Sequence, residues 1–142
     1  MNIFVLVKLK KVINTAIITL FFFSCYEQGP VLSLRSKAER IQNNWLAKFV
    51  YDMQSSEDIT SQYTDINYQL NINNDGSFSE SYDTLGSVIE HSGLWFFENR
   101  HKIFRRIYNN GDTIDFYIIK LQERKLWMRA DDNTLELQLI GN

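Results

Sequence analysis

The positions at which this chain could do chemistry are few: two histidines, one cysteine, an adjacent arginine pair, scattered carboxylates and one oxygen-rich turn. His91 follows Glu90 and precedes Ser92. No second imidazole, thiolate or carboxylate recurs near it at a spacing that would close a metal site. His101 falls in an expected turn, where a solvated imidazole is the default. The segment Asn71 to Gly76 reads N-I-N-N-D-G and imitates half of a calcium loop. That loop wants a bidentate glutamate at its twelfth position, where Tyr82 stands, so an ordinary hairpin turn is expected. There is no G-x-S-x-G nucleophile setting. Glu80, Glu90 and Asp115 are scattered on expected strands, where charged residues usually face water. The expectation is a protein without enzymatic activity, bound metal or cofactor, the alternative being a hydrolase whose site is spread over several strands.

Arg105 and Arg106 are neighbours on one expected strand and so point to opposite faces of the sheet. One shares a face with Ile103 and Ile107, the other with Phe104 and Tyr108, and both sets are apolar. An inward arginine would bind a ligand carboxylate through both nitrogens or stack on Trp45 or Trp95. The plainer account is an arginine lying over surface aromatics. The candidate ligand-binding set is Trp45, Phe49, Tyr68, Phe78, Trp95, Phe97, Arg105 and Phe116. Whether these line a cavity or fill a core stays open, because small eight-stranded barrels often pack their interior with side chains.

Cys25 is a different kind of site. Lys8, Lys10 and Lys11 precede an apolar run from Val12 to Phe23, followed by Ser24 and Cys25. This charged, then apolar, then small order is that of a secretory signal, and the run is shorter than the roughly 20 residues of a membrane span. A cysteine at the cut site resembles the lipobox of bacterial lipoproteins. That resemblance implies residues 1–24 as signal peptide, lipidation at Cys25, and a protein tethered to a membrane of the bacterial cell envelope. The alternative is an uncleaved anchor with an ordinary thiol at Cys25. Cleavage leaves 118 residues with twelve basic against seventeen acidic side chains, a net charge of −5. Such a domain is a poor partner for nucleic acid, which requires positive surface.

The elements that would position these residues follow from periodicity. Residues 25–35 contain the single proline, Pro30, beside Gly29, and read as a tether. Ser36-Lys37-Ala38-Glu39 fits a capping box, and Leu34, Ala38, Ile41 and Trp45 follow helical spacing, which predicts a short helix ending near Asn43. From Trp45 the pattern is β. Ile66, Tyr68, Leu70 and Ile72 alternate with polar residues, and Asp75-Gly76 marks a hairpin into Ser77–Asp83. Val88–Glu98, Lys102–Tyr108, Thr113–Leu121, Lys125–Ala130 and Thr134–Ile140 follow, with Asn110-Gly111 as the strongest turn signal. The acidic stretch Asp52 to Gln62 is expected as a polar loop over one mouth. Eight strands joined by short turns predict an all-β, antiparallel up-and-down barrel over residues 36–142, with an open β-sandwich as the alternative.

The short helix entering Trp45, the turn Asn74-Asp75-Gly76, Gly93-Leu94-Trp95, the run Tyr117 to Leu121 and the closing Thr134 to Leu139 together resemble the small lipocalin-like domains of Gram-negative lipoproteins. The resemblance covers about Lys37 to Gly141 and implies an eight-stranded barrel able to hold a small apolar or amphipathic ligand. A solid barrel that docks an envelope protein is the alternative. Asp83-Thr84-Leu85 and Asp112-Thr113-Ile114 also resemble an O-glycosylation pattern of bacterial envelope proteins, with Thr84 expected in a loop.

Overall fold

A computed structural model describes residues 34–142 of the chain. The leader, the expected lipidation site Cys25 and most of the tether lie outside the described residues. Helix α1 (Lys37–Ile41) starts where the sequence places its cap. The Ser36 side chain accepts from the Glu39 N–H, and the Glu39 carboxylate accepts from the Ser36 N–H at 2.6 Å. A cap of this kind contributes about 1 kcal/mol. The helix stops at Ile41, whose carbonyl accepts from Trp45 Nε1 at 2.7 Å, so the first large core side chain also terminates the helix.

The strands are β1 (Asn44–Asp52), β2 (Glu57–Asp58), β3 (Gln69–Ile72), β4 (Ser77–Thr84), β5 (Ser87–Glu98), β6 (Ile103–Tyr108), β7 (Thr113–Gln122), β8 (Lys125–Ala130) and β9 (Leu135–Gly141). All pairings are antiparallel. β1, β3 and then β4 through β9 follow in order, and β9 pairs back onto β1, which closes an eight-stranded up-and-down barrel. Closure rules out the sandwich. The expected polar loop over residues 52–62 holds more structure than its composition suggests. β2 pairs with β1 at Tyr51 and Asp52, beyond the three β1 residues that β3 covers. A short helix, α2 (Thr60–Thr64), follows it, and Asp58 Oδ1 holds its start by accepting from the Thr60 N–H and hydroxyl.

Inward side chains make one core that includes Trp45, Leu70, Phe78, Phe104, Leu121, Met128 and Leu139. Burying each large apolar side chain contributes about 1.5–3 kcal/mol. Register shifts between Ala47 and Phe49 and between Ile118 and Lys120 keep Val50 and Leu121 inside where strict alternation would turn them out. The barrel closes on itself and α1 is capped by its own Ser36, so residues 34–142 contain a complete core.

The two ends differ. α1 crosses one end: Arg40 and Ile41 are buried, and Arg40 Nη1 donates to the Leu121 carbonyl at 3.1 Å. Arg35 pairs with Glu123 in the β7–β8 turn at the same end. The other end carries α2 and the β4–β5, β6–β7 and β8–β9 turns, and it is open.

Candidate functional site

Strand β4 puts Phe78, Glu80 and Tyr82 on one face, and β6 puts Phe104, Arg106 and Tyr108 on one face. These faces meet inside the barrel, although β5 lies between the two strands. Arg106 Nη1 reaches Glu80 Oε2 at 2.7 Å, with the two side chains 3% and 13% exposed. The same carboxylate oxygen accepts from the Tyr68 hydroxyl at 2.9 Å, and Glu80 Oε1 accepts from the Tyr108 hydroxyl at 2.8 Å. Glu80 is thus held by three donors, two from β6 and one from the residue that precedes β3. Burial, above all, pushes the Tyr68 and Tyr108 phenols well above their ordinary range, so both remain protonated donors.

Aromatic rings hold the guanidinium from its faces. Arg106 Cζ lies 4.7 Å from the Phe116 ring centroid and 5.5 Å from those of Phe78 and Tyr108. Gly93 makes this possible. It pairs with Phe78 on one side and Tyr108 on the other, and the two rings meet edge to face over it at 5.1 Å. A Cβ there would stand 2.0 Å from the Ile107 carbonyl oxygen and 2.9 Å from the Phe78 ring.

Above this cluster the barrel opens into a cleft of about 660 Å³, within the roughly 300–1,000 Å³ of small-molecule sites. Its walls include Tyr63, Ile66, Tyr68, Phe116, Leu135 and Leu137, its depth Glu80 and Arg106, and its rim Asp131 and Asp132. The arrangement suits enclosure of an apolar body with polar groups at the bottom. The interior is therefore hollow at one end and filled at the other, where Trp45, Leu121 and Leu126 are fully buried.

The sequence-derived candidates divide accordingly. Tyr68 and Phe116 line the cleft, and Phe78 underlies Arg106. Trp45 is core, and Trp95 is buried with its indole N–H donating to the Asn73 carbonyl. Phe97 packs against Trp95, Phe104 and the His101 ring at the filled end. Phe49 stacks on Tyr51 instead of joining the core, because the register shift after Ala47 reverses the alternation. Arg105 is a correction. It points outward, where Nε and Nη2 grip Asp115 at 2.7 and 2.6 Å and Nη1 reaches Glu98 at 2.6 Å. Arg106 takes the inward position. Glu80 is a second correction, buried with Arg106 where a solvent-facing residue was expected. Its signal was present: it stands between Phe78 and Tyr82 on the apolar face of an alternating strand.

The remaining motifs are turns. Asp75 Oδ1 accepts from the Ser77 N–H and hydroxyl, which spends that oxygen on hairpin geometry, and Gly76 supplies φ +85°. His101 sits at φ 64° in the β5–β6 turn. His91 Nε2 lies 3.3 Å from the Tyr82 hydroxyl. Thr84 ends β4, exposed, beside the turn Leu85-Gly86.

No family model and no curated protein matches the sequence. Among solved structures, the chain is similar to a lipocalin-like protein from Bacteroides uniformis, with a TM-score of 0.56 and 12% sequence identity over 72% of this chain and 99% of that one. The barrel has a lipocalin-like fold. At that identity the likeness concerns the fold alone. The closed eight-stranded wall, the helix over one end and the cleft at the other are this chain's own version of the lipocalin-like barrel.

Proposed function

We propose that this protein binds a small amphipathic molecule in the mouth of its lipocalin-like barrel, without catalysing its conversion, while tethered to an envelope membrane through Cys25. The observation that carries the reading is the cleft of about 660 Å³ above Arg106 and Glu80. Its wall is mainly apolar and aromatic, with Glu80 and Arg106 converging at the bottom and further polar groups at the rim, the pattern expected of a site that fixes a ligand's orientation. The tether accords with this geometry. Arg35, beside the first described residue, pairs with Glu123 at the end that α1 covers, so a tether leaving from there starts opposite the mouth and need not pass over the cleft. The net charge of −5 after cleavage argues against nucleic acid as a partner.

The test is native mass spectrometry of residues 34–142 produced in a bacterial periplasm, before and after denaturation and again after incubation with envelope lipid extract. A small molecule released on unfolding is expected, and Ala130→Trp, which fills the cleft from β8, should reduce its occupancy. A bare polypeptide under all these conditions overturns the reading. Labelling with radioactive palmitate, lost in Cys25→Ser, tests the anchor separately.

A second reading, docking of an envelope protein, is favoured by exposed Leu94 and Phe96 on the outer face of β5 and by exposed Leu85 and Val88 at the β4–β5 hairpin. Scattered apolar residues of this kind are common on monomers, so the cleft carries more weight.

A further inference from the structure

We infer that the cleft selects by charge, taking neutral amphiphiles that carry a carbonyl- or hydroxyl-type acceptor and excluding carboxylates. The inference rests on the reading of the cleft as a binding site and names the ligand class.

The inside of the cleft leads to it first. Among the described residues lining it, Arg106 is the one cation, and it is already matched by Glu80 at 2.7 Å. An incoming carboxylate would make the buried cluster net negative, in a place where a charge taken from water needs a partner of its own. A neutral acceptor leaves the balance at zero. Arg106 still has donor capacity to offer, since its Nε has no hydrogen-bond partner among the described residues; that nitrogen is enclosed, so a ligand acceptor would reach it through a tilt of the guanidinium toward the cleft. Tyr68, Tyr108 and one guanidinium nitrogen all serve Glu80, so the guanidinium is the group with something left for a ligand.

The rim points the same way. Of its acids, Asp115 is gripped by Arg105 and Asp131 also feels the Arg105 charge, but Asp132 forms no ion pair among the described residues and accepts from Thr134 instead. Hydrogen bonds from Thr134 hold the Asp132 carboxyl below the usual range, so it is ionised at neutral pH. Asp65, Asp83 and Asp112 stand in or beside the connections around the mouth, and neither lysine nor arginine occurs in residues 53–68, 83–91, 109–112 or 131–134. Such a one-signed mouth with low-dielectric walls repels anions before they reach the bottom.

The experiment is calorimetric titration of residues 34–142 at neutral pH and low salt with two probes sharing a naphthalene body, the methyl ketone and the carboxylate. The ketone is expected to bind and the carboxylate to bind at least about tenfold more weakly. The gap should narrow in Asp131→Asn/Asp132→Asn, which keeps the turn but removes the rim charge. A carboxylate that binds as tightly as the ketone overturns the charge selection and leaves the binding reading standing. Binding of neither probe overturns the binding reading and this inference with it.

Discussion

Arg106 and Glu80, on strands that are not neighbours, form an ion pair 2.7 Å long inside the barrel, across the path that β5 takes between them. The pair sits between a packed core and an open cleft, and both its members have apolar neighbours. Taking two charges out of water costs several kcal/mol per ion, and their attraction offsets this only when the remaining hydrogen bonds are made. Three donors on Glu80 and three rings around Arg106 meet much of that demand.

Removing one partner should therefore be worse than removing both. Arg106→Met or Glu80→Leu alone is expected to cost about 3–5 kcal/mol, and the double substitution to recover most of it. Urea denaturation of the four proteins closes the cycle. Additive losses would mean that the pair is not coupled and that the rings alone hold Arg106.

Gly93→Ala should be among the most damaging single-methyl changes in the chain. The new Cβ would meet the Ile107 carbonyl oxygen at 2.0 Å, and backbone cannot step aside as a flexible side chain would. It would also part the Phe78 and Tyr108 rings that meet over the glycine. A loss of about 3 kcal/mol is expected from such overpacking, read as a lowered denaturation midpoint. Gly111→Ala provides the contrast, because nothing lies within 4 Å of a Cβ there and its φ of +95° alone opposes the change.

These two cases show what the sequence discloses and what it hides. Hairpin turns at Asp75-Gly76 and Asn110-Gly111, and strands such as Lys125–Ala130, are written in local periodicity and turn chemistry. The choice between Arg105 and Arg106 is not, because Ile103 and Ile107 offer one arginine as apolar a face as Phe104 and Tyr108 offer the other. The partners supplied by other strands separate the two, with Asp115 and Glu98 outside for Arg105 and Glu80 inside for Arg106. Phe49 was misplaced for a related reason: one register shift after Ala47 moves it across the wall. β2 and α2 carry no apolar rhythm. They form because Asp58 and Thr60 bond locally and because β1 has an edge left to pair.

At alkaline pH the site should act as a brake on stability. Burial raises the Tyr68 and Tyr108 phenols above their ordinary range in the folded protein, whereas in the unfolded chain they ionise near pH 10. The stability they contribute is complete below that pH and is lost as pH rises above it, because the unfolded state releases protons first. Spectrophotometric titration should show a late tyrosinate fraction that appears only with unfolding and shrinks in Tyr68→Phe and Tyr108→Phe. Early ionisation of all tyrosines while the fold persists would contradict the burial of both rings.

The acid limb has the opposite sign and belongs to the outside of the barrel. The hydrogen bonds from Arg105, together with its charge, hold the Asp115 carboxyl below the usual carboxylate range. Its stabilisation is present above the unfolded value, near pH 3.9, and is lost as pH falls through the lower folded value. Wild type should therefore exceed Asp115→Asn in thermal midpoint at neutral pH, and the two curves should converge in strong acid, where Asp115 is protonated in either state. The mutant should keep part of the acid slope, because turn hydrogen bonds also depress Asp52, Asp58, Asp75 and Asp132. Parallel curves down to the lowest pH would mean that the Arg105–Asp115 contact acts through packing and not through charge. That would leave Arg105, the arginine outside, with no electrostatic part in holding β6 against β7.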